Sequence, residues 1–203
     1  MTEAGYIYAE TKGKTGAPLV FTFHGTGGNE HQFHRFAGDL IPDAHVISPR
    51  GDVSEMGALR YFKRTGEGVY DMEDLARRQA AMAEFVGAHK ARIGAERVIA
   101  LGYSNGANIA AAVAMAHPDL FTDLALLHPL IPWTPEPQPG LARTRILISA
   151  GERDPICPAP ATKALIDYFM DQGSDVTAAW HPGGHEIRES EVGALTALFA
   201  PSD

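Results

Sequence analysis

The 203 residues are 45% hydrophobic and 21% charged, far from the balance of disordered or fibrous chains, so one globular domain spanning residues 1–203 is expected. A formal net charge of -8 at pH 7 repels nucleic acid and anionic lipid surfaces, which argues against both as partners. The single cysteine, Cys157, excludes an internal disulfide and a cysteine-based zinc cluster and fits a reducing cytoplasm; no leader-like opening and no run of ~18 apolar residues points to export or membrane insertion.

In chain order, the stretch YIYAE adds a candidate edge strand, and strand-like apolar runs follow at 17–23, 44–49, 97–103, 124–128, 144–150 and 175–181. Helical patterns fall at about 30–39, 105–117, 159–172 and 186–199. The clearest helix is Met72–Ile93, where Met72, Leu75, Ala76, Met82, Ala83, Val86 and Ile93 share a stripe, with Asp71 as N-cap and Gly94 as stop. This alternation predicts an α/β protein with a mostly parallel central sheet and helices on both faces. Residues 50–70 show no helix or strand pattern and read as a long loop walling a pocket with Tyr61 and Phe62. The proline-rich residues 130–140 form a stiff connection, not a domain linker.

Ligands on such sheets bind beyond the carboxyl ends of the strands. After the run at 97–103 stands GYSNG, which places Ser104 between Gly102 and Gly106. With 21 glycines in the chain, chance supplies only ~0.07 G-x-S-x-G matches, and a serine on a tight strand-to-helix turn needs those glycines for close packing. A serine hydroxyl is a poor nucleophile without a base, which in turn needs an orienting acid. The run at 144–150 leads into GERDP, which offers Asp154, with Glu152 as the other carboxylate. The run at 175–181 leads into PGGH, which offers His185; His181 is the alternative base but reads as the last strand residue. The run at 17–23 ends in HGTGG, so the backbone N–H groups of Thr26 and Asn105 are the candidate oxyanion donors. Neither G-x-x-x-x-G-K-[ST] nor G-x-G-x-x-G occurs, which argues against nucleotide binding.

With HGTGG, GYSNG, GERDP and GGH in this order, the chain resembles the alpha/beta-hydrolase superfamily, and more narrowly the bacterial carboxylesterase/phospholipase family that also contains the acyl-protein thioesterases. SPRGDVSE and YFKRTGEGVYDMEDL are similar to a branch that includes esterases linked to hydroquinone and catechol metabolism. The resemblance implies Ser104 as nucleophile, His185 as general base and acid, Asp154 as orienter and Thr26 with Asn105 at the oxyanion, with no cofactor and no metal. It implies a serine carboxylic-ester hydrolase for small to medium acyl esters. An acyl thioesterase or lysophospholipase is the near alternative, and a noncatalytic ligand-binding member the alternative of another class. Many lipases of the superfamily insert a helical cap where this chain has only residues 130–140, so an open, shallow pocket is expected.

Trp133 and Ile156 are candidates to touch an acyl group, with core packing as the competing role. Arg50, Arg60, Lys63 and Arg64 could meet an anionic substrate, but local pairing, such as Arg50 with Asp52, is the preferred reading. Cys157 reads as a small buried apolar residue. His31 and His34 share a helix face without a third ligand, and Pro182, Gly183 and Gly184 deny His181 and His185 a common helix, so no metal site is expected. A homo-oligomer is neither required nor excluded.

Overall fold

The computed structural model describes residues 2–3 and 5–200. Its first half runs β1 (Thr2–Glu3), β2 (Tyr6–Thr11), β3 (Leu19–Phe23), α1 (His34–Leu40), β4 (His45–Pro49), β5 (Val53–Glu55), β6 (Ala58–Arg60), β7 (Arg64–Gly66), β8 (Val69–Tyr70) and α2 (Met72–Ile93). The second runs β9 (Val98–Tyr103), α3 (Asn105–Ala116), β10 (Asp123–Leu127), β11 (Arg145–Gly151), α4 (Ala159–Asp171), β12 (Asp175–His181) and α5 (Glu189–Phe199). Eight strands form one sheet in the order β1-β2-β4-β3-β9-β10-β11-β12, antiparallel at β1-β2 and β2-β4 and parallel elsewhere. This is the alpha/beta-hydrolase arrangement of a mostly parallel sheet between helical layers.

The central strands β3 and β10 are buried at every residue, as expected when helices cover both faces. Successive side chains point to opposite faces. Phe21, Phe23 and Ala100 join one core with Met82, Phe85 and Val86 of α2, the alanines of α3, and Leu165 and Phe169 of α4. Val20, Ile99 and Leu101 join the other with Ala37 of α1 and Leu195 and Phe199 of α5.

The long helix α2 has its expected bounds: Asp71 Oδ1 accepts the Asp74 N–H at 3.0 Å, and Gly94 ends it with a left-handed φ of 69°. Its buried stripe is rotated from the expected one. Met72 and Ala76 are exposed while Asp74, Phe85 and His89 are buried, because the first turns meet residues 52–63 through polar contacts: the Lys63 N–H donates to Asp74 Oδ2, and Arg78 pairs with Asp52. The stretch YIYAE lies in β2, which is second from the edge because β1 pairs outside it. Helices α1 and α5 start later than their patterns suggest, at His34 and Glu189, so His31 is not on a helix with His34. No helix among the described residues is long and apolar enough to cross a membrane.

Residues 50–70 are not an unstructured loop. They form two antiparallel hairpins, β5-β6 and β7-β8. The first turns through Met56 and Gly57, both at positive φ, as a two-residue hairpin turn of the right twist requires. Three-residue strands and a Met-Gly turn leave little periodic signal, which is why the pattern was silent here.

Candidate active site

The strand β9 delivers Ser104 and α3 carries the chain away from it. Ser104 sits at φ 52°, ψ -118°, a sparsely populated conformation for a side chain that costs of order 1–3 kcal/mol and persists only when its surroundings enforce it. They do: the Ser104 N–H donates to Leu127 O at 2.8 Å and its carbonyl accepts the Asn108 N–H at 2.9 Å. A Cβ on Gly106 would come within 2.2 Å of Phe23 O, and one on Gly102 within 2.6 Å of Gly106 O. Both glycines are therefore fixed by close backbone approach, as the motif predicted.

The expected partners converge on this serine. His185 Nε2 lies 2.9 Å from Ser104 Oγ, and His185 Nδ1 lies 2.7 Å from Asp154 Oδ2. Asp154 Oδ1 accepts the N–H groups of Ile156 at 2.8 Å and Cys157 at 2.9 Å. Burial pushes the Asp154 carboxyl up, but the donors from Cys157, His185, His128 and Ile156 outweigh it and hold the group below the ordinary carboxylate range. Glu152 is exposed and does not join the site, and His181 lies behind it with Nε2 3.4 Å from His128 Nε2. The base is held from the other side by Tyr103, whose hydroxyl donates to His185 O at 2.5 Å and whose ring centroid is 5.4 Å from the imidazole. Burial pushes the Tyr103 phenol up to about 12, so it acts as a fixed donor.

Thr26 and Asn105 line the cleft beside Ser104, and among the described residues no protein acceptor engages either backbone N–H. Their loops are braced. Arg60 Nη1 donates to Thr26 Oγ1 at 2.9 Å, the Gly27 N–H donates to Leu59 O at 3.0 Å, and Asn105 Oδ1 accepts the Tyr61 N–H at 2.8 Å. The hairpins are thus the scaffold of the donor loop.

Two expected pocket residues are core residues instead. Tyr61 and Phe62 are fully buried; the Tyr61 hydroxyl donates to Pro49 O at 2.8 Å and accepts the His24 N–H at 3.1 Å. Trp133 is also displaced from the cleft, packing edge-on against Tyr70 beside α4. Ile156 does line the cleft, which has a volume of about 250 Å³. Its walls include Tyr70, Asn108 and Leu130, tied together by Asn108 Nδ2 to Tyr70 Oη at 2.8 Å and Tyr70 Oη to Leu130 O at 2.9 Å. Asn108, a polar residue one turn after Ser104 in an alanine-rich helix, was the readable signal for this wall.

Arg50, Arg60 and Arg64 are locally paired, but Arg50 is not paired with the expected Asp52. Arg50 binds Glu30 at 2.5 Å, which draws the Glu30 carboxyl down to about 2, while Asp52 takes Arg78. Arg64 meets Glu55 at 3.1 Å and Glu67 at 2.7 Å, and Arg60 lies 3.4 Å from Glu55. His34 bonds Ser48 and Thr11.

Behind Asp154 lies a cluster that the sequence reading missed. His128, the residue after β10, is fully buried at φ 51°. Its Nδ1 lies 3.1 Å from Asp154 Oδ2 and its Nε2 lies 3.2 Å from Glu191 Oε1 on α5. Ser149 Oγ donates to the same Glu191 oxygen, and the Arg188 N–H donates to Glu191 Oε2 at 2.5 Å. Two triplets, His128-His181-Glu191 and His128-Asp154-His185, bring donor atoms within 4.8 Å of one another, the spacing of a metal site. Their hydrogen bonds are arranged otherwise: His181 Nδ1 accepts the Gly183 N–H at 3.0 Å, so its Nε2 carries the ring proton and offers no lone pair. Cys157 is buried, donates Sγ–H to His128 O at 3.2 Å, and has its thiol pushed well up by burial.

A strained serine between a strand and a helix, an aligned imidazole and carboxylate, and a glycine-rich donor loop on a mostly parallel sheet are the parts of an alpha/beta hydrolase of the phospholipase/carboxylesterase-like kind. The chain belongs to the dienelactone hydrolase family, whose profile matches residues 60–189. It is 38% identical over 176 residues to MhqD of Bacillus subtilis (strain 168), a protein named a hydrolase by inference, covering 86% of this chain and 88% of that one. Among solved structures it is similar to the protein Atu2452 of unknown function from Agrobacterium tumefaciens str. C58, with 51% identity, a TM-score of 0.93 and 97% of each chain covered. It is also similar to the Bacillus cereus carboxylesterase, with 32% identity, a TM-score of 0.88, and 95% of this chain and 92% of that one covered.

Proposed function

We propose that the chain is one alpha/beta-hydrolase domain acting as a serine carboxylic-ester hydrolase on small to medium acyl esters. Ser104 Oγ attacks the ester carbonyl while His185 Nε2 takes its proton, and Asp154 keeps the other ring nitrogen protonated and aimed. The oxyanion forms between the N–H groups of Thr26 and Asn105, held ready by Arg60 and Tyr61 before substrate arrives. His185 then protonates the departing alkoxide; a water gives a proton to the same nitrogen as its oxygen attacks the acyl carbon, and His185 returns that proton to Ser104 Oγ as the acid leaves.

The observation that supports this reading is the continuous Ser104-His185-Asp154 line, at 2.9 and 2.7 Å, opening into the cleft. The cleft holds about 250 Å³ beside Ser104 and is open to solvent, so acyl chain length is read from the substrate series. The test is hydrolysis of p-nitrophenyl esters from two to twelve acyl carbons by wild type and Ser104→Ala. The expected result is a short-chain optimum and a loss of at least ~10³-fold in kcat/KM in the variant. A long-chain optimum would replace the small-ester reading with the lipid one, and full turnover by Ser104→Ala would overturn the mechanism.

A further inference from the structure

Asp154 Oδ2 faces two histidines. On the cleft side is His185; on the buried side is His128, whose ring centroid is 5.3 Å from that of His185. Both His128 nitrogens face carboxylate oxygens, Nδ1 at 3.1 Å from Asp154 and Nε2 at 3.2 Å from Glu191. Those carboxylates are already committed as acceptors. Asp154 takes N–H donors from Ile156 and Cys157, and Glu191 takes the Ser149 hydroxyl and the Arg188 N–H. An ionised carboxylate is acceptor-only, so a nitrogen facing one must carry a proton. Two nitrogens facing two carboxylates require a doubly protonated ring.

We propose that His128 is a charged imidazolium that positions Asp154 and divides its negative charge between His128 and His185, a positioning role for the hydrolytic reaction that rests on reading Ser104, His185 and Asp154 as the triad.

Around His128, Asp154 comes from the turn after β11, Glu191 from α5, His181 from the end of β12 and His185 from the loop beyond it. The Tyr103 ring of β9 stands 5.9 Å away, and the Cys157 thiol bonds the His128 carbonyl. With the Gly183 N–H on its Nδ1, His181 turns Nε2–H into the cluster, 3.4 Å from His128 Nε2 and 3.6 Å from Glu191 Oε2; directed to Glu191, it leaves the His128 nitrogen to give its own proton to Glu191 Oε1, 3.2 Å away. Burial alone would push its pKa down, but its bonds to Glu191 and Asp154 outweigh that and raise it.

The consequence for the base has a definite sign. With His128 charged, the negative charge of Asp154 is shared between two histidines instead of being directed at His185 alone. Losing the His128 charge leaves the whole of the Asp154 charge to the base and moves the acid limb of the kcat/KM profile to higher pH.

The direct experiment is nitrogen-15 NMR of histidine-labelled wild-type protein from pH 6 to 9, with pH profiles of p-nitrophenyl acetate hydrolysis by wild type, Ser104→Ala and His128→Asn. Asparagine tolerates a left-handed backbone and can donate to Asp154 without carrying charge, so it isolates the charge. The expected results are two protonated ring nitrogens on His128 at pH 8, and an acid limb shifted up by about one unit in His128→Asn. His128 with one bare nitrogen at pH 7 overturns the proposal, and so does an unmoved acid limb in a folded His128→Asn. If that variant fails to fold, the wild-type spectrum decides alone. Turnover that survives Ser104→Ala breaks the parent mechanism instead, whereas an inactive Ser104→Ala with a neutral His128 breaks only this inference.

Discussion

The charged groups on the two sides of the candidate triad are built on opposite plans. In front, the hairpins present Arg64, Glu55 and Glu67 as a partly exposed network beside the cleft, with Arg60 buried beneath it. Behind, His128, Asp154 and Glu191 are buried and bonded to neighbours at the ends of β10 and β11 and the start of α5. Water and salt screen the Arg64 pairs, so each is worth ~0–1 kcal/mol. The rear charges have no solvent to fall back on, so deleting one strands its partner in a low-dielectric interior. The exposed pairs in front contribute little to stability, while the rear is committed to the fold and the base together.

The largest effect expected from this contrast is on stability at the rear. Glu191→Leu should cost ~3–5 kcal/mol by chemical denaturation, because it leaves His128 charged beside one carboxylate and Ser149 without its acceptor. A loss under 1 kcal/mol would mean that the cluster is no more integral than the hairpin ion pairs.

A second, smaller effect separates the regions by pH. The His128 pKa is raised in the fold, so its contribution is complete below the unfolded value of about 6.5 and is lost as pH rises through the folded one. Asp154 and Glu191 are lowered, each because its bonds outweigh burial, so their contributions are present above about 4 and lost as pH falls through their folded values. Unfolding free energy should therefore peak between about pH 4 and 6.5 and decline on the alkaline side. His128→Asn should remove the alkaline decline, while Arg64→Ala should keep it.

The smallest effect belongs to the front. Arg64→Ala should change stability by no more than ~1 kcal/mol, and any change in KM should shrink as salt rises. Equal loss at low and high salt would assign Arg64 a packing role instead.

The fold and the front of the site were readable because each rests on a short, local pattern. Gly102 and Gly106 around Ser104 announce a close approach that only glycine permits, and Asp154 and His185 stand just past strands, where open sheets expose their chemistry. Tyr61, Phe62 and Trp133 were misplaced because a large apolar residue near a site has the same signature whether it lines a pocket or fills the core behind it. The pairing of Arg50 with Glu30 instead of Asp52 was hidden for a related reason: nearness along the chain says little about nearness in a hairpin. His128 ended the predicted strand at 124–128 and so met the same positional rule as Asp154. Its partner Glu191, however, comes from a helix that crosses the strand ends, a juxtaposition created only by tertiary packing.

The parallel stretch β9-β10-β11-β12 has a further consequence. Each crossover returns the chain to the same end of the sheet, so Ser104, His128, Asp154, His181 and His185 all gather there. The turns at the opposite end carry no part of this constellation. There the tight turn Gly173-Ser174, with Gly173 exposed and at φ 80°, enters β12 away from the cleft. The molecule thus has a working end and a handling end, and a fluorophore, a surface tether or a fused domain attached at that turn would leave the chemistry facing freely into solution.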